Sequence, residues 1–129
     1  MTPQPMIAVR DVPASSRWYQ AALGLASGHG GAEYEQLLDA AGAMVLQLHH
    51  WDAHEHAHLG DPALAARGNG MLLWFQHDAV AAAFERAQRA GATVLEPLKL
   101  NPLAQHREFW LRDPDGYVVV VAGRYGDIA

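Results

Sequence analysis

The sequence predicts an α+β fold. It reads as two βαβββ modules forming a curved mixed sheet, with the helices outside and a concave inner face. Three observations predict it. Short apolar segments alternate with period two, and two longer segments repeat at helical spacing. The order strand, helix, three strands occurs twice. Asp11 to Gly24 and Asp78 to Gly91, which bracket the two helices, span equal lengths although their sequences differ. Each half is too small to bury its sheet alone. The expectation is therefore a single domain over 1–129, with a first module at about 4–49, a linker at about 50–68 and a second module at about 69–123.

The elements follow in order. Met6 to Arg10 reads as a short strand, and Asp11 as the cap of a helix carrying Pro13 in its first turn. Trp18, Tyr19, Ala22 and Leu23 recur at helical spacing, and Gly24 closes the element. Ala26 to Gly31 is a weak edge strand or a loop, and Tyr34 to Asp39 a strand. After an Ala41-Gly42 turn, Ala43 to His49 places Met44, Leu46 and Leu48 on one face and Val45, Gln47 and His49 on the other. His50 to Gly68 is polar and proline-broken, a connecting segment. Met71 to His77 is a strand. Ala79 to Ala90 is a helix with Asp78 as its expected cap and Val80, Phe84 and Ala87 on its apolar stripe. Thr93 to Glu96 is a strand stopped by Pro97, and Leu98 to Ala104 a loop. Arg107 to Leu111 and Tyr117 to Ala122 pair across Asp113-Pro114-Asp115-Gly116. In that turn Asp113 accepts from backbone donors and Gly116 takes positive φ. A short, loose tail follows from Gly123.

Composition excludes several classes. The formal charge is −5 with histidine neutral, and no Lys/Arg run exists, which argues against nucleic acid or an anionic membrane as partner. The absence of cysteine excludes disulfides, thiolate nucleophiles and Cys-based zinc sites. No apolar stretch reaches spanning length, and Met1-Thr2-Pro3-Gln4-Pro5 lacks a basic region and a signal core, so a cytoplasmic protein is expected.

Three segments carry a resemblance. They are Val9-Arg10-Asp11 to Trp18-Tyr19 to Leu23-Gly24-Leu25; Phe84-Glu85-Arg86-Ala87 to Ala90-Gly91-Ala92; and Phe109-Trp110-Leu111-Arg112-Asp113-Pro114-Asp115-Gly116. With the doubled βαβββ order, the chain resembles the vicinal oxygen chelate superfamily of glyoxalase I, extradiol dioxygenases and the bleomycin and fosfomycin resistance proteins. The resemblance covers nearly the whole chain. It implies a small-molecule ligand, a homodimer and, in the enzymes, one divalent metal bound by the first and last strands of each half. The matching positions fall on Gln4, Gln47, Met71 or Leu72, and Val120, with Val119 or Val121 reached by a one-residue slip. A catalytic divalent ion needs about three protein ligands and compensating negative charge. Two neutral amides and two hydrocarbons supply neither, so the expectation is no metal cofactor.

The pocket-lining residues expected are Gln4, Gln47, His49 and Trp74: two amides orienting polar groups, one imidazole at the mouth of the cavity, and one stacking ring. Trp74 faces the cavity in one register and Phe75 in the other, and Trp110 has the same ambiguity. Arg10 shares the Gln4 face, as a contact for an acidic ligand or as a strand-end surface charge. The His49–His58 segment holds imidazoles and carboxylates that suit zinc, nickel or copper, or forms a solvated loop, because no spacing matches a closed site. Arg107 and Glu108 read as solvated. The functional expectation is a glyoxalase/bleomycin-resistance-like protein that binds a small, mostly apolar organic molecule without the usual metal. The alternative is a lyase or dioxygenase-like enzyme with one divalent metal ion held by Gln4, Gln47 and a histidine such as His49. A structural or regulatory partner-binding domain is the third class.

Overall fold

The structure, a computed structural model, describes residues 2–51, 62, 63, 66, 68 and 71–128. The chain divides into two compact units, Met1–Ala65 and Ala66–Ala129. The histidine-rich stretch from Asp52 to His58 lies outside the described residues.

The first unit holds β1 (Met6–Val9), α1 (Val12–Leu23), β2 (Ala26–His29), β3 (Tyr34–Leu38) and β4 (Met44–His50). Asp11 accepts the Ala14 amide at 3.0 Å, one of the orphan donors of the first helical turn. Gly24 ends the helix at φ 71, where a side chain would be strained, and donates its amide to the Gln20 carbonyl. The strand order is β1-β4-β3-β2, with β1 parallel to β4 and the other pairs antiparallel. One face of the sheet packs under α1 on β3 and β4. Leu37, Leu46 and Leu48 are fully buried there, as are Val12, Tyr19 and Ala22 on the helix. Each of the leucines and Val12 contributes roughly 1.5–3 kcal/mol when removed from water. Buried Glu35 shares that face and accepts the Ser16 hydroxyl of α1 at 2.8 Å and the Ser27 hydroxyl of β2 at 2.7 Å. It ties helix, edge strand and sheet together.

The second unit holds β5 (Leu73–Gln76), α2 (Val80–Arg89), β6 (Thr93–Asn101), β7 (His106–Arg112) and β8 (Val118–Ala122). Its strand order is β5-β8-β7-β6, with β5 parallel to β8. The two four-stranded mixed sheets thus repeat one βαβββ plan. Phe109 lies under α2, with its ring centroid 5.1 Å from that of Phe84. At the β7–β8 turn, Asp113 accepts the Asp115 and Tyr117 amides, each at 2.9 Å, and Gly116 sits at φ 97.

Several expectations are corrected. Asp78 does not cap α2: the N-cap is Ala79, with no side-chain cap bond, and the Ala79 amide goes to His77 Nδ1 at 2.9 Å. The buried positions of α2 are Val80, Ala83 and Ala87, with Phe84 half-buried. Pro97 does not stop its strand. β6 lies at a sheet edge, where a missing N–H is tolerated, and a register shift between Glu96 and Lys99 absorbs the proline. The tail is not loose: the Gly126 and Ile128 amides donate to the Ala104 and Gln105 carbonyls. Glu108 is not solvated; it is 2% exposed.

Candidate functional site

In each unit the sheet face away from the helix carries a group of polar and aromatic side chains. On the first, strand pairing sets Met6 opposite Gln47, Gln47 opposite Gln36, and Tyr34 opposite His49. Tyr34 Oη donates to Gln47 Oε1 at 2.6 Å and accepts from Gln36 Nε2 at 3.1 Å. Gln47 Nε2 donates to the Gln4 carbonyl at 2.9 Å. Gln4 therefore meets Gln47 through its backbone, while the residue itself is exposed. His49 sits beside this ladder, its ring centroid 6.3 Å from that of Tyr34, and its Nδ1 donates to the His50 carbonyl at 2.7 Å. His29 of β2 approaches Tyr34 from the other side at 5.8 Å. Arg10 is exposed at the end of β1.

Tyr34 and Gln36 were not singled out by the sequence, although hairpin pairing of β3 with β4 places them across from His49 and Gln47. Tyr34→Phe should lower stability by about 1 kcal/mol, because it removes the donor to Gln47 and the acceptor for Gln36. Urea unfolding of the two proteins measures this.

On the second unit, Val120 pairs with Trp74 on one side and Trp110 on the other. Val120 is 0% exposed, whereas Trp74 is 47% exposed. Phe75 shares the Val121–Phe109 row beneath α2, so the alternation turns Trp74 to the opposite face. Trp110, Glu108 and His106 follow at period two on β7. Glu108 accepts from Trp110 Nε1, from Asn101 Nδ2 at 2.7 Å and from His106 Nε2 at 3.0 Å. The Trp74 and His106 ring centroids are 5.9 Å apart. Burial by itself would push the Glu108 carboxyl up. The hydrogen bonds from Trp110, Asn101 and His106 outweigh it and hold the group below the ordinary glutamate value. Period-two spacing of His106, Glu108 and Trp110 was the available sequence signal for this group.

The model of the Glyoxalase/Bleomycin resistance protein/Dioxygenase superfamily matches residues 3–121. The chain belongs to that superfamily. Its fold is similar to that of a protein of unknown function from Agrobacterium tumefaciens, at 26% identity and TM-score 0.75, covering 95% of this chain and 93% of that one. It is also similar to a glyoxalase-related enzyme from Fulvimarina pelagi, at 23% identity and TM-score 0.73, covering 96% and 88% of the two chains. A glyoxalase/bleomycin resistance protein/dioxygenase family enzyme from Burkholderia phytofirmans is likewise similar, at 23% identity and TM-score 0.73, covering 93% and 95%. A search of curated proteins finds no match. Among the described residues, no helix is long and apolar enough to cross a membrane.

The residues at the superfamily's metal positions do not fit a divalent ion. Gln47 has one coordinating atom, Oε1, and it accepts the Tyr34 hydroxyl. Val120 is a buried hydrocarbon, and Met71 and Leu72 are exposed hydrocarbons. No group of three or more His, Asp or Glu that could hold a metal occurs among the described residues.

Proposed function

We propose that this member of the glyoxalase/bleomycin resistance superfamily binds a small, mostly apolar organic molecule carrying an aromatic ring, and does so without the usual divalent metal. The observation that carries the reading is Val120. Where the resemblance expects a carboxylate, an aliphatic side chain pairs with two tryptophans, one of them largely exposed. A tryptophan face supplies a flat apolar contact that orders little side-chain entropy on binding. On the first unit, the Gln47–Tyr34–Gln36 ladder satisfies its own polar groups. The superfamily resemblance also supports a homodimer, which analytical ultracentrifugation of the purified chain measures.

The test is a calorimetric titration of chelator-treated protein with a panel of aromatic and aliphatic compounds, repeated after loading with Ni²⁺, Fe²⁺ or Mn²⁺. Aromatic compounds should bind, with affinities that chelator and metal leave unchanged within about twofold. One tight equivalent of metal per chain, required for binding and lost on changing Gln47, would favour the metal-dependent enzyme instead.

A further inference from the structure

The second unit contains a buried ring nitrogen without a hydrogen-bond partner among the described residues. His106 is 4% exposed, and its Nδ1 has no hydrogen-bond partner among the described residues. Such atoms are rare in folded proteins, and one beside an exposed aromatic ring calls for an occupant. The other nitrogen, Nε2, lies 3.0 Å from Glu108 Oε1. An ionised carboxylate only accepts, so Nε2 carries the hydrogen of that bond. In the neutral ring Nδ1 then holds a lone pair. Glu108 is itself held by Asn101 and Trp110, so neither the ring's orientation nor its tautomer is left to chance. Trp74 stands 5.9 Å away, centroid to centroid, as the exposed neighbour of the imidazole. Nδ1 is buried in the free protein, so a ligand reaches it only after a neighbouring side chain moves, and rotamer changes of exposed side chains such as Trp74 are fast.

We propose that His106 Nδ1 is a preformed hydrogen-bond acceptor for the N–H or O–H of an aromatic ligand stacked on Trp74, with Glu108 as the positioning residue that fixes the ring. This rests on the ligand-binding reading above and narrows its ligand class to aromatic compounds that bear a donor, such as phenols and indoles. Recognition then comes from one donor–acceptor pair set in an apolar site. A buried acceptor left unmatched discriminates strongly against compounds lacking the donor.

Matched probes test it: phenol against anisole, and indole against 1-methylindole, titrated into the whole chain. Each donor should bind about tenfold tighter than its methylated partner. In His106→Phe the preference should fall below about twofold while anisole affinity is kept, because an aromatic ring remains while the Nδ1 acceptor is lost together with the Nε2 donor to Glu108. Nitrogen-15 spectra of the histidines give a second readout in the wild-type protein. Nδ1 of His106 should resonate as an unprotonated nitrogen and shift with phenol but not with anisole. In Glu108→Gln the two tautomers should mix and the phenol preference should decrease at unchanged anisole affinity. Equal binding within each pair overturns the inference and leaves the ligand-binding reading standing. Failure of all four compounds to bind removes both. A protonated Nδ1 in the free protein overturns the inference even where the variants fail to fold.

Discussion

Replacing Glu108 with leucine should lower the stability of the chain by about 3 kcal/mol. Leucine fills most of the volume but strands three donors: His106 Nε2, which is buried, and Asn101 Nδ2 and Trp110 Nε1, which are half-buried. His106 Nε2 would be left dry and unpaired, which is the expensive way to lose a hydrogen bond. Glu108→Gln keeps an acceptor and the shape, so it should destabilise by about 1–2 kcal/mol. Urea midpoints at neutral pH separate the two. The pH dependence carries its own sign. The folded state holds the Glu108 carboxyl below its unfolded value, so its contribution is fully present above the unfolded pKa and is lost as pH falls through the folded one. Stability of the wild type should therefore decline below about pH 4.3, and that part of the decline should be missing in Glu108→Gln. Identical acid limbs in the two proteins would mean that Glu108 is not held ionised by its neighbours.

Trp74→Ala should weaken aromatic ligand binding by about 30-fold, since buried aromatic anchors typically carry 2 kcal/mol or more. Stability should move by no more than about 1 kcal/mol, because the ring is 47% exposed in the free protein. Trp74→Phe, which keeps a stacking surface, should recover most of the affinity. Calorimetry with indole reads the affinities, and thermal unfolding shows that the variants remain folded. Unchanged affinity in the alanine variant would move the ligand away from this face.

Much of the fold was legible because local chemistry decides it. Asp11 caps and Gly24 terminates α1 whatever lies beyond, and Asp113 and Gly116 specify their turn within a few residues. Period-two alternation set the faces of β4 for the same reason. Pro97 misled because a proline's effect on a strand depends on whether its N–H faces a partner, and only the sheet order shows β6 at the edge. Asp78 misled because a competing acceptor, His77 Nδ1, one residue earlier takes the amide at the helix start.

The candidate site divides along the same line. The sequence by itself determined that the chain carries a glyoxalase-type scaffold, and the resemblance implies that amides and hydrocarbons stand at the positions of its metal-binding set. Residue identity alone settles whether a side chain can donate an electron pair to an ion. Only the tertiary structure decided what the polar residues do instead. Whether Gln47 Oε1 is open or engaged depends on the register that brings Tyr34 across from β3. Whether Glu108 is solvated or buried depends on donors gathered from β7 and the far end of β6. A hydrogen bond between strands is a fact of register, and register is set by the whole sheet.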